Sequence, residues 1–210
     1  MTKFTPFAAL VFSVAAGAAP ANDATPLLLE VSSGTVAFEV ATNVPGVEVK
    51  GKTNAVTAHI EINSTAEGVL VQRMEALVPV RTLSTGMKLR DEHMQKYVFT
   101  TANGQIPDIV FSASEGVCTR TAPSHDLSCR VPGSLEIRGT SHPVEITVAA
   151  KEEKGARAFH ATGSTTVKLT DFHIEAPSQL GVKTSNEVKV RFDFTAKQKD
   201  GTFAALTDGK

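Results

Sequence analysis

Trp is missing from this chain and Tyr occurs once, at Tyr97. An interior built from the many Val and Ala that remain has few large side chains with which to fill a wide space. Charge of one sign is also lacking: 21 basic residues meet 22 acidic ones, for a net charge of -1. That balance excludes the overall basic footprint that nucleic acid or an anionic membrane calls for. The two Cys lack Cys-x-x-Cys spacing, which argues against a dithiol redox motif. The six His stand singly, with neither His-x-His nor His-Glu-x-x-His, so no metal motif is present. No Gly-x-Ser-x-Gly elbow occurs that would present a serine nucleophile.

Long apolar runs are absent except near the start. Phe7 through Ala19 is too short to span a bilayer, and Pro6 and Gly17 interrupt the region. With Lys3 before it and Ala19-Pro20-Ala21 after it, this stretch reads as a secretory signal peptide over residues 1–21, cleaved after Ala21. The expected product is an exported, periplasmic or secreted chain with no stable membrane insertion. No linker-like break divides the rest, so the 210 residues are expected to hold one domain. Its expected parts are an N-terminal linker (22–31), a β-domain (32–198) and a frayed C-terminal tail (199–210).

The pattern that does fill the chain has a period of two. Val36, Phe38 and Val40 alternate with Thr35, Ala37 and Glu39; Leu135 and Ile137 alternate with Glu136 and Arg138. Val144, Ile146 and Val148 behave alike, as do Val167 and Leu169, and Val188, Val190, Phe192 and Phe194 give the cleanest strand. One or two further strands are read in 47–63, a long one in 70–80, and another in 109–113. Many strands with one apolar face, joined by turns without helical crossovers, imply an antiparallel sandwich or a closed barrel, and composition tilts the balance toward the barrel.

One helix interrupts this order. Met87 to Tyr97 are good helix formers without Gly, Pro or β-branched residues, and Ser84 or Thr85 is available as a cap. Leu83, Met87, Met94 and Val98 form its apolar stripe, and Arg90 and Asp91 fall inside that stripe. A charged pair so placed either anchors the helix to the fold or lines a site, the former being the plainer reading. Cys118 and Cys129 flank a turn-rich loop on the arms of a hairpin, and in an exported protein they are expected to form a disulfide.

Four segments resemble those of the YceI-like family, in order and across nearly the whole mature chain. Arg90-Asp91-Glu92-His93-Met94 is similar to its R-D-x-H-L block, and Ile106-Pro107-Asp108-Ile109-Val110-Phe111-Ser112 to its proline-started strand. Leu135 to Gly139 with Pro143-Val144 matches L-x-I-x-G-x-x-x-P-V, and Asp171-Phe172-His173-Ile174 matches D-F-x-I with His173 where the family usually has Gly. The Cys118/Cys129 pair with its loop is not a general family feature, and Asn43 to Asn54 fits loosely. The resemblance implies a lipocalin-like, all-β antiparallel barrel of about eight strands with one short helix near its mouth. Its interior would hold a long isoprenoid, polyprenyl quinone-like, or a similar amphiphile; no other cofactor is implied.

On that reading the expected lining comprises Phe38, Ile60, Ile62, Met74, Val78, Met94, Phe111, Ile137, Ile146, Leu169, Val190 and Phe192, each of which would equally suit a filled core. Arg90, Asp91, His93 and His142 would fix the helix across the mouth and face a ligand head group. A catalytic pairing of His93 with Asp91 lacks a nucleophile, so binding rather than catalysis is expected. Two functions stay open: a lipid carrier or buffer, and an exported interaction domain whose core is packed shut. Partners would be an amphiphilic lipid and, through exposed strand edges, a second copy in a homodimer, with no nucleic acid.

Overall fold

The computed structural model describes residues 26–32, 34–153, 157–201, 203 and 206; the expected signal peptide lies outside them. Among the described residues twelve strands are present: β1 (Leu27–Val31), β2 (Gly34–Thr42), β3 (Glu48–Thr53), β4 (Thr57–Ser64), β5 (Gly68–Val78), β6 (Ile109–Ala113), β7 (Gly116–Arg120), β8 (Leu127–Ile137), β9 (Thr140–Glu153), β10 (Ala158–Lys168), β11 (Ser178–Gln179) and β12 (Val182–Gln198). They close into an antiparallel barrel. β1 and β2 form one bent arm, pairing with β4 and β3 respectively; the circuit then runs through β5, the β6/β7 pair, β8, β9, β10 and β12. Closure comes where β12 returns to the arm, with Leu29 opposite Gln198 and Phe192 opposite Val36. This gives eight positions around the wall, a size at which side chains just fill the bore unless they are small.

The first correction concerns 22–31, read as a linker. Leu27–Val31 is the closing strand, buried against both β4 and β12. A strand covered on both faces loses its alternation, which is why Leu27-Leu28-Leu29 carries no period-two signal. The tail is not simply frayed either. Lys199 donates its amide to the Leu28 carbonyl (2.9 Å), the Phe203 ring lies under the Arg73 guanidinium at 4.2 Å, and the Leu206 amide donates to the buried Glu75 carboxylate at 3.0 Å.

Side chains close one end of the barrel. Leu29, Val31, Ile60, Ile62, Val71, Leu127, Val131 and Phe194 belong to a continuous packed core at the end that carries the β4–β5, β7–β8 and β9–β10 turns. Cys118 and Cys129 are direct cross-strand partners there and form a disulfide. At the opposite end a second cluster surrounds Val80, Leu83, Phe99, Phe172 and Ile174, and there the wall opens. Among the described residues β3 pairs with β2 alone and has no strand on its outer side at that end. Its free edge is met by the loop after β5, where Lys52 and Ser84 exchange backbone hydrogen bonds of 2.9 Å.

Helix α1 (Lys88–Met94) follows that loop and runs on through a wider π-helical turn, Gln95–Phe99. Ser84 and Thr85 do not cap it, contrary to expectation. Their hydroxyls turn forward to the Asp91 carboxylate instead, leaving Met87 at the N-cap with no side-chain bond. Met87 is consequently exposed rather than part of the apolar stripe.

Candidate functional site

Above the packed half the bore remains open as a cavity of about 1300 Å³. That exceeds the roughly 300–1,000 Å³ usual for a small-molecule pocket. Short side chains are one reason: Val36, Val40, Ala76, Val144, Val167 and Val188 line it. Glycine is another. The Phe192 ring lies over Gly163, its register partner on β10, and the Phe38 ring lies over Gly51 on β3. A Cβ at either glycine would stand about 2.3–2.5 Å from the ring, so these glycines hold two large side chains flat against the wall instead of across it. The Phe192 and Phe194 rings stack at 5.6 Å where the cavity meets the packed half.

Of the twelve side chains expected to line the bore, Phe38, Met74, Val78, Met94, Phe111, Ile137, Ile146, Leu169, Val190 and Phe192 face this cavity. Ile60 and Ile62 do not; they lie in the packed core. Their period-two pattern told which face they take but not how far along the barrel they sit. The reading of a core packed shut fits one half of the molecule only.

Polar groups gather at the mouth. Arg90 and His93 line it from α1, with Arg138, His173 and Glu175 from the loops between strands. Arg90 donates from Nε to the Thr85 hydroxyl and from Nη2 to the Thr85 carbonyl, both at 2.8 Å. Asp91 accepts from the Thr85 amide at 2.7 Å and the Ser84 hydroxyl at 2.8 Å. Burial alone would raise the Asp91 carboxyl; the hydrogen bonds from Thr85 and Ser84, with the Arg90 charge, outweigh it and hold the group below its ordinary value. The Arg90/Asp91 pair therefore ties the helix to the preceding loop, as the plainer reading had it, while Arg90 also reaches the cavity. Asp91 does not orient His93, whose Nδ1 lies 3.2 Å from Gln179 Oε1 on β11. His142 departs from the expected group. It sits outside the cavity in a polar groove, 3.8 Å from Asp171 and with its ring against Phe172.

Three elements frame the mouth: α1, the β2–β3 turn and the β11–β12 hairpin. The last two are joined by Asn43, which donates its side-chain amide to Gly181 and accepts from the Lys183 amide. The hairpin went unread in the sequence because β11 is only two residues long; Leu180-Gly181 between Gln179 and Val182 was its available signal. Nine large apolar side chains are exposed among the described residues; Val44, Val47, Leu89, Leu180 and Val182 lie on these framing elements, with Met87 just before α1 and Tyr97 in the π-helical turn that continues it. Among the described residues, no group of three or more His, Cys, Asp or Glu is placed to hold a metal ion. No described helix is long and apolar enough to cross a membrane.

A family model described as the YceI-like domain matches residues 29–196. Solved structures share the fold. A polyisoprenoid binding domain from Saccharophagus degradans, implicated in plant cell wall breakdown, superposes with a TM-score of 0.61 at 15% identity, covering 82% of this chain and 98% of that one. BcnA from Burkholderia cenocepacia gives 0.59 at 17%, covering 79% and 96%. A YCEI protein of Campylobacter jejuni gives 0.57 at 17%, covering 76% and 90%. Among curated proteins no sequence matches this chain. With the family model spanning the barrel from within its closing strand to within two residues of the end of β12, the chain belongs to the YceI-like domain family.

Proposed function

We propose that this protein is an exported, soluble carrier or buffer for a lipid with a long apolar chain, an isoprenoid such as a polyprenyl quinone or a similar amphiphile. The observation that carries the reading is the cavity: about 1300 Å³, apolar along its length, closed below by packed side chains and fringed with Arg90, His93 and Arg138 at its mouth. An amphiphile matches that gradient, with its tail in the bore and its head among the polar groups. Each 100 Å² of hydrocarbon taken from water contributes about 2.5 kcal/mol, so even a partly enclosed chain offsets association costs. A greasy tube reads length and width rather than atoms, and selectivity among chains of similar length is accordingly low.

The structural likeness to a domain described as polyisoprenoid binding supports the ligand class. Export is supported by the apolar run near the N-terminus and by the Cys118–Cys129 disulfide. Binding rather than catalysis is supported by Asp91 and His93 each having a partner other than the other. The test is organic extraction of protein isolated from an exporting host, followed by mass spectrometry. Prenyl or acyl lipid in near-stoichiometric amount is the expected result. Material that carries none, and takes up no labelled prenyl chain, would refute the proposal.

A further inference from the structure

Leu180 is 97% exposed, the most exposed large apolar side chain among the described residues. It also occupies the first position of the two-residue turn between β11 and β12, with φ of 51° and Gly181 at 80°. Such a turn needs positive φ at both positions, which Asn-Gly adopts readily and a branched side chain adopts under strain. Leu180 thus combines a strained backbone with an apolar side chain in water. Neither feature benefits folding, and both make sense at a position that becomes covered.

The surroundings indicate by what. Tyr97, in the turn that continues α1, and Val47, on the β2–β3 turn, are exposed and line the same opening as Leu180 and Val182, while Leu89 on α1 and Met87 just before it are exposed outside the cavity wall, so the apolar residues around the opening do not form one flat face. Charge is locally uneven although the chain as a whole is nearly neutral. Lys50, Lys88, Arg90, Lys96, Arg138 and Lys183 on and beside the framing elements face the carboxylates Glu39, Glu48, Asp91, Glu92 and Glu175. Lys50 is shared by Glu39 and Glu48, Lys88 pairs with Glu92, and Arg90 and Asp91 both bond the loop before the helix, which leaves Lys96, Arg138 and Lys183 against Glu175. Lys96 lies over the Tyr97 ring at 5.2 Å, an aromatic and cation pair of the kind suited to a headgroup layer.

We propose that the mouth is the face by which this protein docks on an anionic phospholipid bilayer, with Leu180 and Tyr97 seated at the boundary between headgroups and acyl chains. The inference builds on the reading of the cavity as a lipid site. A protein partner seated here would cover the opening, whereas a bilayer receives the cargo chain directly. Docking lets that chain pass between membrane and cavity without crossing water, with cations around the rim drawn to the anionic surface.

The experiment is flotation of the chain, isolated from an exporting host, with phosphatidylglycerol/phosphatidylcholine vesicles, alongside extraction of its lipid. Flotation with anionic vesicles that weakens as salt is raised is expected. Leu180→Asn relieves the turn, so its Tm should hold or rise while vesicle affinity falls about tenfold. Leu89→Ser, outside the cavity wall, should weaken flotation and leave the extracted lipid unchanged. Flotation untouched by both variants, or equal on neutral vesicles at any salt, overturns the proposal. So does a dimer that both variants dissociate without any effect on flotation, which would make the face a contact between copies. Lipid present with flotation absent removes docking alone, while flotation intact with no lipid leaves docking and removes the cavity reading.

Discussion

His93 Nδ1 and Gln179 Oε1 stand 3.2 Å apart, joining α1 to the β11–β12 hairpin across the cavity mouth. A hydrogen bond of net worth about 1 kcal/mol alters an opening equilibrium about fivefold. His93→Ala and Gln179→Ala should therefore each speed exchange of a bound fluorescent prenyl probe by about that factor in stopped-flow measurements. The double variant should go little further, because both remove the same link. Fully additive effects would show that the two side chains act separately.

The two halves of the bore should respond oppositely to substitution. Ala76 lines the cavity, and Ala76→Phe grows into open space, so extracted lipid should fall several-fold at a stability cost below about 1.5 kcal/mol. Ile60 is in the packed half, and Ile60→Ala should cost about 3 kcal/mol with lipid content retained. Thermal melts and extraction on the same samples check both.

Disulfide loss acts at the closed end only. Cys118 and Cys129 bracket a short hairpin, and replacing both with Ala should lower stability by about 3 kcal/mol, a drop in Tm of about 6–12 °C. Probe affinity should stay unchanged, since the bridge lies away from the cavity wall.

Acid should loosen the helix. The Asp91 carboxyl is held below its ordinary value by Thr85 and Ser84 in the folded chain, so it binds protons less readily folded than unfolded. The stability it contributes is present above the unfolded carboxylate pKa of about 3.9 and is lost as pH falls through the lower folded value. Asp91→Asn should be less stable than the parent at pH 7, and the two melting curves should converge below about pH 4. A constant gap across that window would count against the assignment.

His173 adopts φ 55° at the end of the short 3-10 turn Leu169–Phe172, a left-handed conformation that favours Gly. Its imidazole is exposed, and the anchoring bond from Arg138 goes to its carbonyl, which Gly keeps. Relief of left-handed strain, about 1–2 kcal/mol, exceeds the entropic cost of Gly. His173→Gly should stabilise by about 0.5–1 kcal/mol, read from denaturant midpoints.

Period-two alternation was enough to show the face taken by Phe38, Ile137, Val190 and Phe192, because a pleated strand turns successive side chains to opposite sides whatever it pairs with. Closure was partly legible too, through the shortage of large side chains. The strand Leu27–Val31 was not, since burial on both faces erases the alternation that reveals a strand. Nor was the role of Asp91: its position on the helix stripe was plain, but only the fold shows Thr85 and Ser84 turning to meet it.

By itself, then, the chain's order of residues determined strands with one apolar face, one helix and, through its likeness to the YceI-like family, an antiparallel barrel; whether side chains filled the bore it left open. Tertiary structure decided where along the axis filling stops, since Ile60 and Phe192 share a pattern yet one is packed and the other borders a cavity. It also decided that Leu180, Tyr97 and Val47 stand around one opening. The physical reason is that alternation records a side chain's face, a local property, whereas height in the barrel and neighbours across the mouth depend on register between strands distant in sequence.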